Sequence, residues 1–186
     1  MKCTFGILLC VAGVVMGRDS TISSANGGPW GDWGEASFCP RNSYATGFDI
    51  KVERPVSDGD DTALNGIRLY CRSGLTGLEV ATVSSSVQKW GDWTGKYQCR
   101  NGRLNAFRLR VESHQGSGDD TAADSLDMRC ETGEELTGGG NSWGTWGSWQ
   151  TCPSGQVICG LQTRVEKEQG KGDDTALNDV TIYCCS

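Results

Sequence analysis

Apolar and charged residues alternate along three similar segments of the chain. In the first segment Phe48, Ile50 and Val52 are apolar, and the residues between them are charged. The segments that begin at Phe107 and Leu161 follow the same alternation of apolar and polar positions. Successive side chains of a strand point to opposite faces, so this period of two predicts a half-buried β-strand in each segment.

A second alternating segment follows each of these strands after a polar loop. Two such strands are expected to pair as an antiparallel hairpin, with a register that matches their apolar faces. In the first copy this register places Phe48 opposite Leu69 and Ile50 opposite Ile67. It also predicts these opposing pairs in the other copies: Phe107 with Met128, Leu109 with Leu126, and Leu161 with Ile182.

Several short motifs recur in one order and indicate three repeat units, at approximately 28–75, 88–133 and 143–186. Each unit contains a Trp-Gly-x-Trp segment, a Lys/Arg-Val-Glu strand end, a Gly-Asp-Asp-Thr-Ala turn and a closing cysteine. The Trp segments begin at Trp30, Trp90 and, with Ser148 in place of Asp, Trp146; the closing cysteines are Cys71, Cys130 and Cys184.

The repeats predict an all-β fold. One unit has a single apolar face that it cannot bury alone, whereas three units around a pseudo-threefold axis share one core. We expect a single domain over 18–186, built as a prism of three sheets. A β-trefoil is the alternative, although its repeat units are usually shorter.

The first 17 residues are typical of a secretory signal peptide. A basic Lys2 precedes an apolar run from Ile7 to Met16, and a small residue, Gly17, offers a cleavage point. The run is too short to span a bilayer, and no later run is longer, so we expect a secreted protein without membrane insertion. An apolar N-terminal strand or anchor is the alternative.

The cysteine count is consistent with secretion. Loss of Cys3 and Cys10 with the signal peptide would leave eight of the ten cysteines, enough for four disulfides. The repeat pattern predicts Cys39–Cys71 and Cys99–Cys130. In the third unit the hairpin register predicts Cys159–Cys184 and Cys152–Cys185, whereas repeat symmetry favours Cys152–Cys184 and Cys159–Cys185; the register is the basis of our prediction.

Charge and composition exclude several functions. The net charge of −6 does not suit a nucleic-acid surface. His114 is the sole histidine and lies in a polar run, which argues against a Ser-His-Asp triad. Oxidised cysteines would supply neither a thiol nucleophile nor a zinc site. We therefore expect no cofactor, no metal and no catalytic residues, and we favour a role without catalysis over an enzyme. We also expect a monomer.

The repeated turns contain the candidate binding residues. Paired carboxylates can accept hydrogen bonds from sugar hydroxyls or hold Ca²⁺, but Asp and Thr also shape turns by bonding the local backbone. Repetition in every unit favours the structural interpretation. The candidate glycan-binding residues are Asp60, Asp61, Asp119, Asp120, Asp173 and Asp174.

The paired tryptophans allow two interpretations. Residues three apart on a strand point to opposite faces, so one tryptophan of each pair is expected to fill the core. The other tryptophan would then be exposed, where an aromatic face could stack on a sugar ring.

These motifs resemble those of the vitelline membrane outer layer protein 1 family over about Trp30 to Cys185. The resemblance implies a β-prism of three Greek-key sheets, a shape shared with some plant lectins, and secretion into an extracellular coat. We therefore expect a secreted structural or interaction protein whose partners are coat proteins or glycans. The alternatives are lectin-like binding of chitooligosaccharide-like glycans, or a weak glycan-transferring activity of the kind proposed for the family.

Overall fold

The computed structural model describes residues 20–54, 63–112, 123–167 and 176–186. Within these ranges the chain forms fifteen β-strands and no helix, so no helix there could cross a membrane. In chain order the strands are β1 (Ser20–Ser23), β2 (Asp32–Trp33), β3 (Ser37–Phe38), β4 (Ser43–Val52), β5 (Leu64–Ser73), β6 (Glu79–Ser84), β7 (Asp92–Trp93), β8 (Tyr97–Gln98), β9 (Leu104–Val111), β10 (Ala123–Cys130), β11 (Glu135–Thr137), β12 (Thr145–Trp146), β13 (Gln150–Thr151), β14 (Val157–Val165) and β15 (Leu177–Cys185).

The strands assemble into three five-stranded sheets with one common topology. The first sheet has the order β6-β5-β4-β7, and β8 also pairs with β4. The second has the order β11-β10-β9-β12, with β13 beside β9. The third has the order β1-β15-β14-β2, with β3 beside β14. In the first two sheets the fourth strand returns beside the first, which is a Greek key; the third completes the same pattern by pairing the first strand of the chain with the last.

The long hairpins have the predicted register, and their inner faces form the core. Phe48 lies opposite Leu69, Phe107 opposite Met128, and Leu161 opposite Ile182. All six side chains are fully buried in one cluster to which the three sheets contribute. Burial of each side chain of this size contributes about 1.5–3 kcal/mol, so the shared core is the main source of stability.

The short tryptophan strands do not join the hairpin that follows them in the chain. β2 and β3 pair with β14, β7 and β8 pair with β4, and β12 and β13 pair with β9. Each sheet therefore combines the hairpin of one repeat with the tryptophan strands of the next, and the third sheet takes those of the first repeat. This exchange links the three repeats in a closed ring.

Three disulfides strengthen that ring. Cys39 follows β3 of the third sheet and bonds to Cys71 on β5 of the first sheet. The Cys99–Cys130 bond likewise joins the first sheet to the second. Cys152 follows β13 of the second sheet, and its bond to Cys184 on β15 joins that sheet to the third.

The predicted pairing of the last four cysteines, Cys159–Cys184 with Cys152–Cys185, is wrong. The structure contains Cys152–Cys184 and Cys159–Cys185. The cause is a β-bulge, in which Ile158 lies opposite Cys184 and Gly160 opposite Tyr183, so that Cys159 has no direct partner across the hairpin. A bulge adds one residue and reverses the alternation beyond it. The inner face opposite Cys184 is thus occupied by Ile158.

The structure also changes the alignment of the third tryptophan segment. Trp33 lies opposite Arg164 and Trp93 opposite Lys51, whereas the residue opposite Arg110 is Trp146. The third segment therefore starts at Trp143 rather than at Trp146, and Thr145 replaces the Asp. The extra tryptophan of the third repeat is Trp149.

Candidate functional site

The six turn carboxylates predicted from the sequence, Asp60, Asp61, Asp119, Asp120, Asp173 and Asp174, lie outside the described residues. The same holds for His114 and for the predicted signal peptide, 1–17. The strands that lead into the three turns are described, and their ends define one end of the prism. That end contains the candidate site.

A cleft of about 490 Å³ opens at this end, along the edge of the first sheet. Its walls combine an indole, two carboxylates and a guanidinium with short stretches of backbone. The lining residues are Val52, Glu53, Arg54, Gly91, Asp92, Trp93 and Thr94.

The pairing of β4 with β7 creates the cleft. Val52 ends β4 opposite Asp92, and the chain then continues through Glu53 and Arg54 towards the turn. Gly91 precedes β7 with φ of 73°, a conformation that favours glycine. A Cβ atom on Gly91 would also collide with the backbone of Val52 and Glu53. The close approach of the two segments therefore depends on this glycine.

An ion pair with a buried carboxylate holds the cleft tryptophan in place. The guanidinium of Arg68 lies over the Trp93 ring, 4.0 Å from its centre. Arg68 Nη2 donates to Asp49 Oδ2 at 2.6 Å, and the Asp49 side chain is fully buried. The backbone N–H of Gly95 donates to the other oxygen of Asp49 at 3.0 Å. Asp49 therefore fixes Arg68, and Arg68 covers one face of Trp93.

Each of the other two sheets has an equivalent corner, where the tryptophan strand pairs with the end of the long hairpin. The side chains at these corners differ from those of the cleft. On the third sheet Asp32 and Trp33 occupy the matching positions, but Lys167 Nζ lies 3.8 Å from Asp32 Oδ2. On the second sheet Thr145 replaces the aspartate beside Trp146. On the first sheet the aspartate and the tryptophan line the cleft together with Glu53 and Arg54.

The prediction that one tryptophan of each pair fills the core is wrong. All seven tryptophans are at least partly exposed, and Trp30, Trp33 and Trp90 are 55%, 42% and 41% exposed. The reason is their position. The second tryptophan of each pair lies opposite an outward-facing basic residue, and the first precedes the strand at the end of the prism.

The cleft suits a sugar better than it suits a metal ion. An indole face packs against the C–H face of a pyranose, while carboxylates accept and a guanidinium donates hydrogen bonds to hydroxyl groups. Among the described residues, no group of three His, Cys, Asp or Glu side chains could hold a metal ion.

Sequence reasoning did not identify this cleft. From the sequence, Glu53 was assigned no binding role and was not connected with the Trp-Gly-Asp-Trp motif. The available signal was the presence of Lys51-Val52-Glu53 and Trp90-Gly91-Asp92-Trp93 in neighbouring repeats. That signal becomes useful only when the pairing of β4 with β7 is known.

Several solved structures that share this architecture are lectins. Frutapin, a lectin from Artocarpus incisa, aligns with 89% of this chain and 97% of its own, with 15% identity and a TM-score of 0.57. A mannose-specific jacalin-related lectin from Morus nigra, solved with mannose, aligns with 89% and 95%, with 13% identity and a TM-score of 0.55. At this identity the likeness concerns the fold alone, and it confirms the predicted β-prism.

Sequence relatives define the family. Residues 20–186 match the family model described as vitelline membrane outer layer protein I. The human vitelline membrane outer layer protein 1 homolog is 48% identical over 172 residues, 91% of this chain and 84% of the human protein. The mouse homolog is 45% identical over 170 residues, which cover 90% and 84% of the two chains. The chain therefore belongs to the vitelline membrane outer layer protein I family.

Proposed function

We propose that this protein is a secreted, disulfide-stabilised component of an extracellular coat that binds glycans at one end of its prism. The cleft of the first sheet supports the proposal most directly, because it places Trp93 beside Asp92, Glu53 and Arg54. The family relationship favours a coat protein, and the lectin neighbours favour glycans as ligands. The four disulfides favour an oxidising compartment, consistent with cleavage of residues 1–17 and a mature domain over 18–186.

The charges and shape of the cleft favour a neutral sugar with equatorial substituents. A chitooligosaccharide presents apolar faces that match an indole, together with hydroxyl and acetamido groups that match Asp92 and Arg54. Because the cleft is open along the sheet edge, we expect it to hold one or two sugar units and to leave the rest of the chain in solvent.

The turn carboxylates remain part of the proposal. β4 leads through Glu53 and Arg54 into the loop that contains Asp60 and Asp61. We propose that these acids, with Asp119, Asp120, Asp173 and Asp174 of the other turns, add hydrogen-bond acceptors at the same end of the prism.

A glycan array with the oxidised full-length secreted protein tests the proposal. We expect binding to chitooligosaccharide-type chains that falls about tenfold, or about 1.4 kcal/mol, in Asp92→Asn and in Trp93→Ala. Asp32→Asn and Trp33→Ala change the matching corner of the third sheet, outside the cleft, and should leave binding unchanged.

A second set of variants assigns the role of the turns. Asp60→Asn, Asp119→Asn and Asp173→Asn should each weaken binding if the acids contribute. Absence of binding to every glycan on the array would refute the proposed function. Binding that is equally reduced by the control variants would refute the cleft as its site.

A further inference from the structure

Pairs of tryptophans three residues apart occur four times in this chain. The pairs begin at Trp30, Trp90, Trp143 and Trp146, and a glycine follows the first tryptophan each time. A tryptophan followed by a small residue, with a second tryptophan at the third position, is the acceptor sequence of the C-mannosyltransferases of the secretory pathway. We propose that Trp30, Trp90, Trp143 and Trp146 are acceptors for a C-linked mannose, an inference that rests on the proposed secretion but not on glycan binding.

The reaction joins a sugar carbon to a ring carbon. C1 of mannose forms a bond to indole Cδ1, and the bond from C1 to the phosphate oxygen of a polyprenyl-phosphate mannose donor breaks. The polyprenyl phosphate leaves with the electron pair of that bond, and the proton of Cδ1 is released. No atom is oxidised by an external reagent. The indole keeps its N–H donor and both aromatic faces.

Two of the proposed acceptors are well exposed in the folded structure. Trp30 is 55% exposed and Trp90 is 41% exposed, and both lie at the end of the prism ahead of a positive-φ glycine. Lys89 Nζ approaches the face of Trp90, 4.3 Å from the ring centre. A cation on the ring face does not compete with a sugar on the ring edge.

On the second sheet, arginine guanidinium groups and tryptophan rings form an extended stack. The guanidinium of Arg108 lies 4.6 Å from the Trp146 ring centre and 4.8 Å from that of Trp149. Arg129 approaches the Trp149 ring at 4.7 Å. Cations and indoles thus stack along the outer face of the sheet.

The chain contains its own negative controls. Trp33 is followed at the third position by Ala36, and Trp93 is followed by Lys96. Like the proposed acceptors, these two tryptophans are at least partly exposed, but they lack the second tryptophan. They should remain unmodified.

Expression of the full chain in animal cells, with and without their C-mannosyltransferases, tests the inference. Peptide mass spectrometry should find one additional hexose on each of Trp30, Trp90, Trp143 and Trp146 in the first cells and none in the second. The hexose should survive treatments that cleave O-linked sugars. Protein retained inside the cells and protein secreted into the medium are both analysed. A variant that fails to fold, and is therefore not secreted, still reports whether its tryptophans are modified.

A pair of variants tests whether the spacing determines the modification. Trp149→Ala removes the partner of Trp146 and should abolish the hexose on Trp146 while leaving that on Trp143. Ser148→Ala changes a residue inside the same segment and should leave both hexoses. Unmodified tryptophans in a disulfide-bonded secreted chain would overturn the inference and leave the proposed secretion intact. A reduced chain confined to the cytosol would overturn both.

Discussion

Arg68 and Arg108 stack on equivalent tryptophans although they lie on non-equivalent strands. Arg68 extends from β5 to within 4.0 Å of the Trp93 ring centre, and Arg108 extends from β9 to within 4.6 Å of the Trp146 ring centre. The carboxylates that bind these two arginines also lie on non-equivalent strands. Asp49 on β4 binds Arg68 at 2.6 Å, whereas Asp127 on β10 binds Arg108 at 2.8 Å. The two sheets therefore keep one arrangement of carboxylate, guanidinium and indole with the charges of the hairpin exchanged.

This arrangement predicts energetic coupling between Asp49 and Arg68. Asp49→Ala should lower the free energy of unfolding by about 3 kcal/mol, because it leaves Arg68 and the Gly95 N–H without their acceptor. The double variant Asp49→Ala/Arg68→Met should cost about 1–2 kcal/mol less than the sum of the single variants. Urea denaturation measures all three free energies.

The exposed Lys167–Asp32 pair is the control for this coupling. Lys167→Met should change the free energy of unfolding by less than about 0.5 kcal/mol, because water screens a surface pair. If the loss of unfolding free energy in the double variant equals the sum of the losses in the Asp49 and Arg68 single variants, the two side chains stabilise the sheet independently. That result would contradict the prediction.

The glycine that shapes the cleft should not tolerate a side chain. Gly91→Ala is expected to cost about 4 kcal/mol, because the new methyl group meets the backbone of Val52 and Glu53 in addition to adopting an unfavourable φ. Gly77 is the matched control, with φ of 69° and no atom within 4 Å of an added Cβ. Gly77→Ala should cost only about 1 kcal/mol. Equal losses of thermal stability in the two variants would contradict the proposed close approach.

Asp124 should make the stability of the protein dependent on pH. Burial raises the pKa of its carboxyl group to about 7, with a further contribution from Glu112 that Arg110 opposes. Because the folded pKa exceeds the unfolded value, stability should fall as the pH rises from about 4 to about 7 and stay low above that range. Asp124 is the extra residue of a bulge between β9 and β10, and Asn65 and Asn178 occupy the same position in the other two hairpins. An amide side chain is therefore compatible with this position.

Asp124→Asn tests this pH dependence. We expect the variant to be about 2 kcal/mol more stable than the parent at pH 8 and equal to it at pH 4, because only the ionised carboxylate is penalised by burial. Asp92→Asn changes an exposed carboxylate instead. In this control variant the free energy of unfolding should differ between pH 4 and pH 8 by as much as it does in the parent. The expectation fails if Asp124→Asn has the same effect on unfolding at both pH values.

The two disulfides of the third repeat should be partly redundant. Cys159 follows Cys152 by seven positions, and Cys184 and Cys185 are adjacent, so either bond closes nearly the same loop. Removing one of them as a double Cys→Ser variant should cost about 2.5 kcal/mol, compared with about 3.7 kcal/mol for the Cys39–Cys71 bond. Thermal unfolding of each variant measures the loss. Peptide mapping of the parent protein should find Cys159 joined to Cys185, and finding it joined to Cys184 would contradict the structure.

The cleft shows why the candidate site was only partly predictable. The sequence indicated repeated tryptophans and acids, and it suggested glycan chemistry for them. It could not indicate that Trp93 and Glu53 line one cleft, because they belong to neighbouring repeats. The β7 strand has only two residues, and a strand this short contains no signal for the sheet that it will join.

The sequence by itself determined the hairpins. Alternation with a period of two is a local property, and burying Phe48, Ile50 and their partners permits one register, so Phe48 lies opposite Leu69 as the pattern requires. The tertiary structure decided what alternation cannot encode. A one-residue bulge at Cys159 changed the disulfide pairing, because it shifted which side chain faces Cys184. The closed ring of three sheets also determined which hairpin each tryptophan strand pairs with. That pairing depends on how the apolar faces of the three sheets pack around one core.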